Sequence, residues 1–285
     1  MTPHQYCQTR FAPSGSNLHS ALLFEDHERR AALLPIYALD GEIGRLPLRC
    51  HDPQVALQTL DWWQSEIASA FEGRATHPVT LALQDTLRNH DLAEEYCQEL
   101  LDARRQLVLS RHITGQQELA LYSHRSGGVL YLMAAEISGY SERNTHRIAV
   151  RLGSHLQRLK HLVGIRQDID QGFLLLPEAL MLQHGVTRSN LQQVATGKHV
   201  QNMLCELGDQ LRDDILSDLN ALPTGDRRPL RHLIIQAELA LALLDAIADD
   251  GYLLLEHAVQ LTPLRTIWLA WRINRREKKT LKQAL

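Results

Sequence analysis

The chain is poor in cysteine, in long apolar runs and in familiar catalytic signatures, and each shortage removes a class of protein. Its four cysteines, Cys7, Cys50, Cys97 and Cys205, stand far apart in 285 residues. No CxxC pair is present, so neither a zinc site nor a disulfide framework is indicated. Scattered thiols of this kind suit a reducing cytoplasm, where a free cysteine behaves as a small apolar residue. No uninterrupted apolar stretch reaches the roughly 18 residues of a membrane-spanning helix. The opening MTPHQYCQTRF has no basic-then-apolar leader pattern. The expectation is a cytoplasmic protein that meets a membrane, if at all, from its surface. The formal net charge of −3 argues against a chain-wide polyanion binder, and no nucleic-acid partner is expected. Serine-nucleophile, P-loop and dinucleotide motifs are absent. Fifteen histidines are present, but none forms an HExxH motif or carries a set of carboxylate neighbours, so they read as scattered surface and core residues.

What is present is helical almost throughout. Apolar residues make up 44% of the chain, enough for a sizeable core. Between 145 and 163, Ile148, Leu152, Leu156, Leu159 and Val163 recur at spacings of three and four, the stripe of an α-helix. Segments 55–71, 78–90, 91–109, 116–138, 200–220 and 229–257 also read as helices, the last opening at Pro229 and interrupted at Gly251. Turn-forming residues cluster at EGRATHP, SGYSERN, QGFLLLP, HGVTRSN and LPTGDRRP. No strand pattern, internal repeat or long linker appears. The predicted architecture is one all-α domain spanning 1–285. Its last residues, from about 272 to 285, form a basic tail, read as solvated or as a peripheral contact with an anionic membrane surface.

Gly127 and Gly128 sit inside a helical pattern, where each costs about 1 kcal/mol relative to Ala. Close approach of another helix explains such a pair, and so does room for a ligand.

Five stretches carry a family resemblance. They are MTPHQYCQTRFAPSGSNLHSALLFEDHERRAALLPIYAL, FEGRATHPV, LYSHRSGGVLYLMAAEISGY, LGSHLQRLKHLVGIRQDIDQGFLLLPEALMLQHGV and LTPLRTIWLAWR. In order and with nearly ungapped spacing, they resemble the squalene/phytoene synthase family, above all its bacterial presqualene diphosphate synthases. The resemblance implies a single barrel of helices around a deep apolar cavity, and head-to-head joining of two prenyl diphosphates. In that chemistry, magnesium ions bridge the diphosphate to aspartates on two facing helices.

The family's metal motifs are largely missing. The first runs Tyr-Ala-x-Cys-Arg-x-x-Asp-Asp-x-x-Asp. Tyr37 and Ala38 match, the Arg falls at Gly41, and the aspartates fall at Gly44, Arg45 and Leu48. Asp40 and Glu42 remain, but at i and i+2 they point to different faces of a helix. The second motif runs Gln-x-x-Asn-x-x-Arg-Asp-x-x-x-Asp. Gln157 and Asp168 match, while Lys160, Val163 and Gly164 replace the Asn, the Arg and the first Asp. Asp170 is a neighbouring carboxylate, again two residues from Asp168. The family's aromatic pair early in the chain falls at Leu18 and His19, its pocket tyrosine at His124, and one of its glycines at Tyr131.

Three readings follow. In the first, the chain is a catalytically degenerate member that needs no metal cofactor and binds an isoprenoid diphosphate or lipid, or a partner such as an active synthase paralogue or a membrane complex. The family contains a non-catalytic branch, a mitochondrial complex I assembly factor, that also lacks the aspartate motifs. In a sharper form of this reading, Arg45, Lys160 and Arg166 hold an anionic headgroup directly. Its pocket would be lined by Leu18, His19, Tyr37, Gly41, Gly44, Arg45, His124, Gly128, Tyr131, Gln157, Lys160, Gly164 and Asp168. In the second, the chain is an active prenyl transferase whose magnesium rests on Asp40, Glu42, Asp168 and Asp170. In the third, Tyr131, Leu48 and Val163 fill the old cavity and leave a structural adaptor.

Overall fold

The computed structural model describes residues 1–50 and 52–284, with side chains given through Lys278. Among the described residues the chain is helical with no strand, as the periodicity predicts; one isolated parallel bridge joins His112 to Leu174.

The first four helices are α1 (Pro3–Phe11), α2 (Asn17–Leu22), α3 (His27–Ile43) and α4 (Leu46–Arg49). Next come α5 (Pro53–Phe71), α6 (Pro78–Asn89) and α7 (Glu94–Leu109). A long central element comprises α8 (Gln116–Ser123), a π-helical turn (His124–Gly128) and α9 (Val129–Ser138). Then come α10 (Arg143–Val163), α11 (Ile165–Asp170), α12 (Glu178–Gln183), α13 (Arg188–Leu191), α14 (Lys198–Ala221), α15 (Arg231–Asp249) and α16 (Pro263–Ala284).

The starts are chemically marked. Thr2 and Thr187 form reciprocal capping boxes, Ser16, Asp26 and Asp52 accept from the first-turn N–H groups, and prolines open α1, α5 and α6. Helix boundaries fall at each of the five turn clusters named above. Three details differ from the sequence reading. Pro229 lies ahead of α15 rather than in its first turn, and α15 ends at Asp249, before Gly251 and Tyr252 take positive φ values of 74° and 58°. The basic tail is not a separate segment either, because residues 272–284 continue α16 without a break. Leu285 lies outside the described residues, as do the side chains of Lys279 and Lys282.

One large apolar cluster draws on nearly every helix from α1 to α16. A smaller one joins Ala103, Leu107, Ile113, Leu119, Tyr122, Phe173 and Leu175 beneath the loop after α11. The tightest crossing is between the π turn and α10. A Cβ on Gly127 would lie 2.3 Å from the Gly153 carbonyl oxygen, and one on Gly128 would lie 2.8 Å from Ser154 Oγ. The glycine pair therefore serves backbone-to-backbone packing. This contact fixes α10 against the central element and sets the angle at which Gln157, Lys160 and His161 are presented.

Candidate functional site

α1, α3, α4, α7, α8, α10 and α11 enclose a cavity of about 380 Å³. Its wall includes Tyr37, Asp40, Gly41, Gly44, Arg45 and Leu48 from the first motif region, and Gln157, Lys160, Gly164 and Asp168 from the second. Phe11, Arg104, Leu107, Tyr122, His161 and Gln167 complete it. The two motif regions thus face each other across one pocket.

The remaining sequence candidates lie elsewhere. Leu18 packs on the main core, and His19 Nδ1 lies 3.3 Å from Gln8 Nε2. His124 lines a different groove, between α7 and α10, with Tyr96 and Val150. Gly128 is spent on the α10 crossing. Tyr131 is buried, donates to Gln236 Oε1 at 2.8 Å and meets the Tyr37 ring edge-to-face at 6.4 Å. Gln236 in turn donates to Tyr37 Oη at 2.9 Å, so Tyr131 braces a pocket residue without lining the pocket. Burial raises the pKa of both tyrosines far above the ordinary value, which keeps both hydroxyls protonated and neutral.

The four carboxylates separate as their spacing predicts. Asp40 points into the pocket and is ion-paired with Arg104. Glu42 turns away, accepting from Tyr6 Oη at 2.8 Å and pairing with Arg10 at 3.0 Å. Asp168 lies in the pocket with its Oδ2 at 2.8 Å from His161 Nδ1. Asp170 is exposed and pairs with Arg166, whose Nε donates to it at 3.0 Å. Arg166 also donates to the Gln193 carbonyl at 3.1 Å, which corrects the expectation that it faces the pocket. Among the described residues, no group of three or more His, Cys, Asp or Glu side chains is placed to hold a metal ion.

Two glycines at motif positions have local reasons. A Cβ on Gly41 would fall 2.4 Å from Phe11 Cδ1, so only glycine lets Phe11 form the pocket wall. Gly164 ends α10 and begins α11 with φ −86° and ψ 9°, a bend rather than a break, since Asp168 N still donates to Gly164 O at 2.9 Å. Gln157, Lys160, Gly164 and Asp168 therefore share one face despite the change of helix.

The cations of the pocket are unequally partnered. Arg104 is 2% exposed, and apart from the Asp40 pair its Nε and Nη1 have no hydrogen-bond partner. A Cβ on Gly44 would fall 2.6 Å from the Asp40 carbonyl oxygen and in ordinary contact, at 3.6 Å, with Arg104 Nε and Nη2. Arg45 sits over the Phe11 ring at 5.1 Å. Lys160 is exposed on the pocket rim. Neither Arg45 nor Lys160 pairs with a carboxylate among the described residues, whereas Asp40 and Asp168 are both engaged.

A hydrogen-bonded chain lines the α10 side. His161 Nε2 lies 2.9 Å from Gln157 Nε2 and 3.2 Å from Tyr122 Oη. An amide nitrogen can only donate, so Nε2 accepts and Nδ1 carries the proton toward Asp168. Burial raises the Tyr122 pKa, so its hydroxyl stays protonated beside the ring.

Arg104, His161 and Tyr122 escape the motif comparison. Arg104 had one signal in the sequence, a charge on the apolar face that Leu100, Leu101 and Leu107 define. His161 had another, its place four residues after Gln157 and seven before Asp168.

This all-α barrel with a pocket between its motif helices is the isoprenoid-synthase fold. A dehydrosqualene synthase structure superposes with a TM-score of 0.83 at 17% identity over 97% of each chain. Squalene synthase from Alicyclobacillus acidocaldarius gives 0.72 at 23% identity over 88% of this chain and 94% of that one. The family model for squalene/phytoene synthase matches residues 11–265, and the chain belongs to that family. Phytoene synthase from Mycobacterium tuberculosis is 26% identical over 216 residues, 74% of this chain and 70% of the relative. The complex I assembly factor 6 of Mus musculus is 20% identical over 210 residues, which span 73% of this chain and 62% of that protein.

Proposed function

We propose that this protein binds the diphosphate head of an isoprenoid through its own cations, without magnesium, and no longer performs head-to-head prenyl transfer. The observation that carries the reading is Arg104, a buried guanidinium in the pocket with two unpartnered nitrogens. Buried cations are costly unless hydrogen-bonded, and a phosphate supplies the acceptors this one lacks. Arg45 and Lys160 add two charges at the same pocket.

The donor set fits magnesium poorly. Asp40 already neutralises Arg104, Asp168 is held by His161, and Glu42 and Asp170 point elsewhere. A magnesium ion there would need several oxygen ligands at about 2.1 Å while facing the charges of Arg45 and Lys160, which no carboxylate among the described residues offsets. Loss of metal at a departing diphosphate removes on the order of 10²-fold or more in rate per lost interaction. The likeness to a complex I assembly factor supports a non-catalytic role, and binding to a partner protein is compatible with a pocket that holds its ligand without turnover.

The cavity volume, at the lower end of ordinary ligand pockets of roughly 300–1,000 Å³, leaves room for a diphosphate and the start of its chain. Calorimetric titration of farnesyl diphosphate, once in chelator and once in magnesium, tests the reading. Saturable binding in chelator is expected, with no pyrophosphate released in magnesium. Binding that appears only with magnesium, or pyrophosphate above a boiled control, would favour an active transferase with altered metal ligation.

A further inference from the structure

We propose that the outward face of α16 docks on an anionic phospholipid surface. The helix is held to the body by one side, where Thr266, Leu269, Ala270 and Ile273 are buried. Along the other side run Leu264, Trp268 and Trp271, at 83%, 52% and 46% exposure. Spacings of four and three put them in one line. A single exposed apolar residue means little, but two tryptophans and a leucine aligned on a fixed helix form an apolar ridge.

The ridge is bordered by cations. The Arg272 guanidinium lies 4.7 Å from the Trp268 ring centroid, and that of Arg275 lies 5.4 Å from Trp271. Arg265 and Lys278 are exposed on the same helix. The sole acidic residue from 263 to 278, Glu277, is buried and paired with Arg227 and Arg276. This face therefore presents positive charge on a chain whose net charge is −3.

That composition selects the occupant. Tryptophan rings settle at the boundary between headgroups and acyl chains, and arginine and lysine reach lipid phosphates from the same depth. A second copy of the chain would oppose one cationic face with another, which disfavours self-association. Among the described residues no helix is long and apolar enough to cross a membrane, so the contact lies along the surface. The proposal stands whether or not the central pocket binds diphosphate.

Full-length protein is sedimented with vesicles of phosphatidylcholine alone and of phosphatidylcholine mixed with phosphatidylglycerol. The expected result is binding to the mixed vesicles only, weakened by salt, with a blue shift of tryptophan emission. Each basic residue at an anionic surface adds roughly fivefold, so Arg272→Glu with Arg275→Glu lowers the partition coefficient by about 25-fold or more. Trp268→Ser with Trp271→Ser removes the blue shift that remains after the contribution of Trp62 and Trp63 is subtracted. Equal binding to both vesicles, or binding to neither, overturns the proposal. So does a dimer in sedimentation equilibrium that the tryptophan variant abolishes. The wild-type comparison decides the matter even if a variant fails to fold.

Discussion

Replacing Arg104 and Asp40 separately gives opposite outcomes if the pocket is an anion site. Arg104→Met keeps the length of the side chain and removes its charge and donors. A hydrogen bond to a charged group contributes about 1.5–3 kcal/mol, so affinity for inorganic pyrophosphate should fall roughly 10- to 150-fold. Asp40→Asn removes the negative charge paired with Arg104. A unit charge about 7 Å from the ligand, at an effective dielectric between 20 and that of water, is worth roughly 1 kcal/mol, so affinity should rise about fivefold. Both variants should nonetheless lose stability. Breaking one side of a buried ion pair costs about 3–5 kcal/mol, and the 13% exposure of the Asp40 side chain places the cost near 3. Isothermal titration in chelator reads the affinities and scanning calorimetry reads the stabilities. A purely structural role for the pair would move both affinities downward together. Parallel losses of binding, or no change in either variant, would refute the reasoning.

Three further outcomes follow from other parts of the fold. Gly127→Ala would bring a Cβ to 2.3 Å from the Gly153 carbonyl oxygen, and overpacking against backbone should cost about 3 kcal/mol by urea unfolding; a loss below about 1 would mean the crossing yields easily. Burial, with help from Arg29 and Arg231, pushes the fully buried His232 down to about 3, and neither ring nitrogen has a hydrogen-bond partner. The unfolded chain protonates this histidine near pH 6.5 and the folded chain does not until about pH 3. Its contribution is therefore complete above pH 6.5 and is lost as pH falls from 6.5 to 3, at about 1.4 kcal/mol per unit. In His232→Leu, the acid-side slope of stability should be shallower by that amount, and an unchanged slope would contradict the assignment. Glu66 accepts from the backbone N–H groups of Thr76 and His77, both at 2.7 Å, and from the Thr76 and Thr80 hydroxyls at 2.9 and 2.6 Å. Glu66→Ala should cost about 3 kcal/mol and speed amide exchange across 72–77, whereas unaltered exchange there would show the loop is held by other contacts.

The helical frame was legible because its signals are local. Amphipathic spacing marked α10, and glycine and proline clusters marked five of the boundaries between helices. The pocket was legible in outline because the segments 37–48 and 157–168 keep the motif spacing although residues other than aspartate stand at most of the metal positions. What could not be read was pairing. Arg104 and Asp40 are 64 residues apart, and nothing local in either helix announces that they meet. Arg166 looked equivalent to Lys160 until the turn at Gly164 placed it beside Asp170. Tyr131 and Gly128 sit in the right helix for a pocket, but the first faces Gln236 and the second is consumed by the crossing with α10. The rotation of each helix about its axis, set by tertiary packing, decided those cases.

The central claim is that cations have replaced metal ions as the diphosphate ligands. A crystal structure of the protein with a non-hydrolysable farnesyl diphosphate analogue, grown in chelator, tests it most directly. Phosphate oxygens are expected within about 3 Å of Arg104 Nε or Nη1, with Arg45 and Lys160 turned toward the same group. A pocket that stays empty in chelator and fills only when magnesium bridges Asp40, Asp168 and the diphosphate would contradict that expectation.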